Sequence, residues 1–298
     1  MTATPIETFC VELPHGIRLS CRAAGPPQAP VLLLLHGFPE AAFAWDEVMG
    51  LLGGQFRCVA PNLRGYAPSS SPAEVSAYRA RHLVQDIAAL IDALGAPVSG
   101  LVAHDWGGAL AWNLAAQHPQ LLWRLAIINS PHPATFLREL RHNPAQQQAS
   151  AYMNFLCRPD AEALLAENDF ARLWPFFGAP PGGAPWLTEA LRQQYREVWR
   201  AGLSGPLNYY RASPLRPATS EDAALSQLVL DPAQVTVRVP TLVVWGEADV
   251  ALPPALLDGL DAYVPQMRLQ RVPGAGHWII HEQPALVADA LREHFGGR

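Results

Sequence analysis

Apolar positions along the chain fall into short unbroken runs separated by longer stretches of helical spacing. Val31-Leu32-Leu33-Leu34-Leu35 contains no polar residue. Such a run predicts a strand covered on both faces, as in a mostly parallel sheet. Largely apolar stretches predict further strands over residues 56–60, 98–103, 125–128 and 241–245, and another strand is expected over 267–272. Residues 8–12 and 17–21 instead alternate around Pro14-His15-Gly16, which predicts a β-hairpin. Leu83, Ile87, Leu90, Ile91 and Leu94 recur at helical spacing and are closed by Gly95, so residues 82–94 are expected to be a helix. Helices are also expected over 107–117 and 284–295. Strands alternating with helices imply right-handed βαβ units and a doubly wound α/β sheet. Residues 131–217 break this rhythm. They suggest helices at 147–156 and 188–201, Pro/Gly joints such as Pro180-Pro181-Gly182-Gly183, and no strand. The expected organisation is a core of residues 1–130 and 218–298 with a helical lid, or cap, of residues 131–217. That lid would cover the carboxyl edge of the sheet, where ligands bind in open α/β folds.

Composition narrows the function classes. At 298 residues, half of them hydrophobic, the chain can bury a large core. A net charge of −5 gives no reason to expect nucleic acid or an anionic membrane as partner. All 21 basic residues are Arg, so Schiff-base chemistry on a lysine is excluded. Cys10, Cys21, Cys58 and Cys157 are scattered, without metal-ligand spacing, and read as small core residues in a reducing compartment. The first residues lack a basic segment followed by an apolar one, so a cytoplasmic location without a secretory signal is expected.

The chemistry centres on Asp105. It lies in Ala103-His104-Asp105-Trp106-Gly107-Gly108, between a buried strand and a helix. Small residues two before, and two and three after, the central residue are what a strained nucleophile elbow needs, because bulky flanks would clash there. The plainer alternative is a helix-capping Asp. Leu35-His36-Gly37-Phe38-Pro39 follows the first buried strand and can aim the Phe38 N–H at the point served by the Trp106 N–H, forming an oxyanion hole. Gly246-Glu247-Ala248-Asp249 and Gly274-Ala275-Gly276-His277 follow two later strands. The order nucleophile, acid, histidine matches the α/β-hydrolase template.

A carboxylate nucleophile is ionised at neutral pH and needs no base to attack. It would add to an sp³ carbon bearing a strained ring or leaving group and form an ester. His277, oriented by Asp249, would then activate water against that ester. Epoxides and alkyl halides are the main substrates for this chemistry.

His36-Gly37-Phe38-Pro39-Glu40, His104-Asp105-Trp106-Gly107-Gly108, Asn129-Ser130-Pro131 and Gly276-His277-Trp278 together resemble the soluble epoxide hydrolases of the α/β-hydrolase fold, across nearly the whole chain. The resemblance implies two lid tyrosines that protonate the epoxide oxygen. Pro206-Leu207-Asn208-Tyr209-Tyr210-Arg211 places one at Tyr210, and Ala151-Tyr152-Met153 places the other at Tyr152. It also implies a small apolar epoxide and water as the partners, no cofactor or metal, and a monomer or homodimer. Tyr209 stands where Trp is usual and could compete with Tyr210. Asn62 and Asn129 stand where relatives carry Asp; Asn62 is expected to be structural, and the acid's role then falls to Asp249. Pocket candidates are His36, Pro39, Trp174, Phe176 and Trp278.

Haloalkane dehalogenases share the Asp-Trp-Gly elbow but need a second halide donor, which Phe38 lacks and Trp174 or Trp186 could supply. Fluoroacetate dehalogenases use arginines just after the nucleophile; Trp106 and Ala109 occupy those places here. A hydrolase-fold protein that merely binds an apolar ligand under its lid is a third reading.

Overall fold

The computed structural model describes residues 5–95, 98–178, 184–219 and 224–296. The Pro180–Gly183 joint therefore lies outside the described residues. The eight strands are β1 (Glu7–Glu12), β2 (Arg18–Ala24), β3 (Val31–Leu35), β4 (Arg57–Pro61), β5 (Gly100–His104), β6 (Leu125–Ile128), β7 (Thr241–Gly246) and β8 (Met267–Val272). They form one sheet in the order β1-β2-β4-β3-β5-β6-β7-β8. The β1–β2 hairpin is antiparallel and β2 meets β4 antiparallel; every other pairing is parallel.

The unbroken apolar runs now have a cause. Side chains alternate across a strand, and both faces of this sheet are covered. Leu33, Leu35, Leu101, Ala103, Ile127 and Val243 point to one buried layer, with α2 (Ala80–Ala93) and α3 (Asp105–Gln117). Leu32, Leu34, Val102, Ile128, Leu242 and Val244 point to the other, with α1 (Asp46–Leu52) and the terminal helix (Pro284–Gly296).

Between β6 and β7 every described element is helical: α4 (Pro133–His142), α5 (Pro144–Ala149), α6 (Tyr152–Leu156), α7 (Ala161–Phe170), α8 (Glu189–Ala201), α9 (Ser204–Ala212), α10 (Ala224–Gln227) and α11 (Pro232–Val235). Two more helices, α12 (Ile279–Glu282) and α13 (Pro284–Gly296), follow β8. The single helix expected over 147–156 is instead two. Gln146 Nε2 donates to the buried Ser150 Oγ at 2.8 Å, and the chain makes tight i→i−3 turns at Ala151 and Met153 between α5 and α6. Helix α8 begins where Thr188 accepts from the Leu191 N–H, an N-cap. No helix among the described residues is long and apolar enough to cross a membrane.

Candidate active site

Five adjacent strand ends converge on one point. The segments after β3, β5, β6, β7 and β8 carry Phe38, Asp105, Asn129, Asp249 and His277 in turn. Asp105 adopts φ +49°, a left-handed conformation that costs a non-glycine residue about 1–3 kcal/mol. The surroundings enforce it. Ser130 Oγ donates to the Asp105 carbonyl at 2.6 Å. A Cβ on Gly107 would lie 2.5 Å from the Leu35 carbonyl oxygen, so only glycine lets α3 start this close to β3. The helix begins at Asp105 itself, two residues before the expected start, because the elbow residue is already its first turn.

The Phe38 N–H donates to Asp105 Oδ1 at 2.8 Å. On the other side, His277 Nε2 stands 3.6 Å from Asp105 Oδ2. His277 Nδ1 bonds Asp249 Oδ2 at 2.6 Å. Asp249 is buried and also accepts from the Asn129 amide at 2.8 Å and from the Ala251 and Leu252 N–H groups, both at 2.9 Å. Asn129 spends its oxygen on the Gly246 N–H and its amide N–H on Asp249, so it braces that carboxylate. Burial alone would raise Asp249, but His277 and these donors hold it below the usual carboxylate range. Burial likewise opposes the charged form of His277, yet Asp249, Asp105 and Glu40 outweigh it and raise the imidazole to about 9.

Tyr152 on α6 and Tyr210 on α9 meet edge to face at 6.2 Å, and Tyr210 also packs its ring on Phe38 (5.3 Å) and Trp106 (5.0 Å). Burial, with the Asp105 field added, raises both phenols, which therefore stay protonated. Two cavities meet at these rings. One of about 80 Å³ is lined by Trp106, Phe136, Met153 and Leu215; one of about 590 Å³ by Phe38, Phe176, Trp186, His277 and Trp278. Asp105, Tyr152 and Tyr210 line both.

Three expected pocket residues lie elsewhere. His36 is fully buried, accepts from the Leu63 N–H through Nε2 (3.1 Å), and packs on Tyr66. Pro39 turns its carbonyl to the Trp199 indole at 2.8 Å. Trp174 packs against Trp199, and its indole N–H donates to the Asp169 carbonyl at 3.1 Å. Phe176 and Trp278 do line the larger cavity, and the Trp278 indole donates to the Phe176 carbonyl at 2.8 Å. Asn62 is structural: it caps the Ala42 N–H at 2.9 Å. Tyr209 faces away from Asp105, its hydroxyl bonded to the Arg64 carbonyl at 2.8 Å.

One cluster had no sequence signal. Glu40 is fully buried, and its Oε1 accepts from Tyr195 Oη (2.7 Å) and pairs with His281 Nε2 (2.6 Å). Its Oε2 lies 3.5 Å from His104 Nδ1, and His104 Nε2 bonds the His277 carbonyl at 2.9 Å. Burial works against the Glu40 charge, but His281 and His104 more than compensate and hold it well below the usual range. Glu40 thus ties helix α8 to the segments that carry Asp105 and His277. Among the described residues no group of His, Cys, Asp and Glu is placed to hold a metal ion.

This geometry has known counterparts. Residues 30–284 match the family model of the alpha/beta hydrolase fold. Mouse epoxide hydrolase 4 is 34% identical over 280 residues, covering 91% of this chain and 74% of the relative. The epoxide hydrolase of Bacillus megaterium, crystallised with an inhibitor, superposes with a TM-score of 0.88 at 32% identity over 97% of this chain and all of that one. A mutant of that enzyme, complexed with its product (R)-3-[1]naphthyloxy-propane-1,2-diol, gives the same score at 30% identity over the same shares. An epoxide hydrolase from hot-environment metagenomes matches at 38% identity and TM-score 0.86 over the full length of both chains. The chain belongs to the α/β-hydrolase family and, within it, to the epoxide hydrolases.

Proposed function

We propose that the protein hydrolyses epoxides to vicinal diols through an ester on Asp105. The observation that carries this reading is the pair Tyr152 and Tyr210 at the junction of the two cavities, lining each of them together with Asp105. An epoxide lying between them has its carbons toward the carboxylate and its oxygen toward two protonated phenols. An Asp105 oxygen attacks a ring carbon, the C–O bond breaks, and the released oxygen takes a phenol proton.

In the second step His277 Nε2 takes a proton from water, and that water adds to the Asp105 carboxyl carbon. The 3.6 Å between Nε2 and Oδ2 puts the base beside the ester. The oxyanion forms where Phe38 already donates, with the Trp106 N–H as second donor. Collapse expels the diol, which carries one Asp105 oxygen and receives the His277 proton; the second proton of the added water then leaves the Asp105 carboxyl for His277, which restores the carboxylate. Timing follows from charge. Asp105 is among the carboxylates that keep His277 protonated in the free enzyme. Esterification removes that charge, so the imidazolium can give up its proton, which restores the phenol that donated to the epoxide oxygen, and the imidazole is then free to act as base on the ester.

Residues 131–217 serve as the cap in this reading. They supply both tyrosines and the walls Phe176 and Trp186. The diol product named for the Bacillus megaterium neighbour supports the same reaction. A dehalogenase would need a second halide donor: Phe38 has no side-chain donor and the Trp174 indole is engaged at Asp169, which leaves Trp186, on the wall of the larger cavity, as the donor to be tested. A panel of styrene-oxide-type, alkyl and trans-disubstituted epoxides beside 1-haloalkanes tests the proposal. Diol without halide release is expected. Halide release without diol, or tight binding without turnover of either class, overturns it.

A further inference from the structure

Tyr209 is adjacent to Tyr210 on α9 yet takes no part in the site just described. Successive helical residues point about 100° apart, so the two phenols serve different faces. Tyr209 is fully buried, its hydroxyl donating to the Arg64 carbonyl at 2.8 Å and its ring lying against Tyr66, Tyr78 and Trp106 at 5.8, 5.7 and 5.5 Å.

The acceptor is itself immobilised. The buried Arg64 guanidinium grips the buried Asp86 through two bonds of 2.7 and 2.6 Å and donates to the Ala77 carbonyl at 2.8 Å. Asp86 also bonds His15 Nε2 at 2.7 Å, which brings in the β1–β2 turn. Next to Arg64, Gly65 and the first turn of α9 meet backbone to backbone. A Cβ on Gly205 would lie 2.4 Å from the Gly65 carbonyl oxygen. The segment after β4 is thus a rigid platform on which α9 sits. Tyr210 packs edge to face on Phe38, Trp106 and Tyr152, and its hydrogen-bonding partners are the side chains of Trp106 and Tyr152, none of which belongs to the platform after β4. The phenol bond that ties this turn of α9 to the platform belongs to its neighbour, Tyr209.

We infer that Tyr209 is a positioning residue for the proton donor: its bond to the Arg64 carbonyl, braced by Asp86, fixes the rotation of α9 and so the aim of the Tyr210 hydroxyl at the epoxide oxygen. The inference rests on the epoxide reading above. It makes a distinction that a general packing role does not. Tyr210 serves ring opening only; ester hydrolysis uses His277, Asp249 and the Phe38 N–H, which lie on other elements.

The test is Tyr209→Phe, which removes one oxygen and keeps the ring. Single-turnover mixing with styrene oxide, quenched at intervals and read by intact-protein mass, gives the rates at which the Asp105 ester forms and decays. The expected result is a fall of about tenfold in ester formation, part of the 10²–10⁴-fold a general acid typically contributes. Ester decay is expected to stay within about twofold, because that step does not pass through Tyr210. Tyr210→Phe and the double variant complete a cycle. If Tyr209 acts by aiming Tyr210, the second substitution costs little once Tyr210 has lost its proton. An unchanged formation rate in Tyr209→Phe overturns the inference, as does an equal loss in both steps or full additivity in the cycle. Failure of the wild-type chain to form any ester with an epoxide is a separate outcome, which overturns the epoxide reading and this inference with it.

Discussion

Asp249→Asn isolates the second chemical step. The substitution keeps shape, and its remaining oxygen can still accept from the Ala251 and Leu252 N–H groups, so the loop after β7 should hold. What it removes is the charge 2.6 Å from His277 Nδ1. Holding the imidazole at about 9 instead of 6.5 represents ~3 kcal/mol of preference for the charged ring. Asp249 heads the groups that raise it. That preference is what the imidazolium draws on as water adds to the ester, and ~3 kcal/mol is about 10²-fold in rate. An amide also presents an N–H to Nδ1. This favours the tautomer whose Nε2 carries the proton and cannot accept one, which extends the loss to about 10³–10⁴-fold. Ester formation needs only Asp105 and the tyrosines, so it should stay within about tenfold. The assay is single-turnover mixing with an epoxide, followed by intact mass. The variant should accumulate a stable adduct that maps to Asp105. Ester hydrolysis within tenfold of wild type would refute the assignment of Asp249, and with it the account of His277's charge.

Tyr210→Phe should slow ester formation about 10- to 100-fold, Tyr152 retaining part of the donor role, and leave ester hydrolysis unchanged; rapid quench with mass detection reads both. The His277 pKa is raised on folding, so the stability it contributes is fully present below pH 6.5 and is lost as pH rises through about 9. Urea unfolding of wild type from pH 6 to 10 should show that decline, and His277→Gln should flatten it; parallel curves would contradict the assignment. Glu40→Gln weakens the buried acceptor of the Tyr195 hydroxyl and of the His281 ring and should cost about 2 kcal/mol in denaturant unfolding. Apart from His277 no basic side chain lines either cavity among the described residues, and the carboxylates Asp105 and Glu282 line the larger one. A para-carboxylate styrene oxide should therefore show a lower kcat/KM than its methyl ester, with the gap narrowing as salt is added.

The strands were legible because covering a parallel sheet on both faces leaves no room for polar residues, as Val31–Leu35 shows. The elbow was legible because Ala103, Gly107 and Gly108 answer a local steric demand. Facing was harder to read. His36 and Pro39 lie within two positions of Phe38 in sequence, yet in this irregular segment after β3 His36 turns to the Leu63 N–H and Pro39 turns its carbonyl to the Trp199 indole, partners that only the tertiary fold supplies. Trp174 and Phe176 share one short turn (Trp174–Phe177), which sends Phe176 to the cavity and Trp174 onto α8. The Glu40 cluster was illegible for a different reason. Its members come from four segments, and Glu40 and His281 are 241 positions apart. Neither a motif nor a periodicity records such a meeting; only the tertiary fold does. Tyr209 falls between these cases, since its spacing gives the face but not the Arg64 carbonyl waiting there.

The central claim is that water attacks the carboxyl carbon of Asp105 and never the epoxide itself. A single turnover in ¹⁸O-water, with enzyme in excess over epoxide, separates the two routes. The account predicts an unlabelled diol, because its new oxygen comes from Asp105, and a gain of about 2 Da in the peptide that contains Asp105. Label in the first-turnover diol with none in that peptide would contradict it.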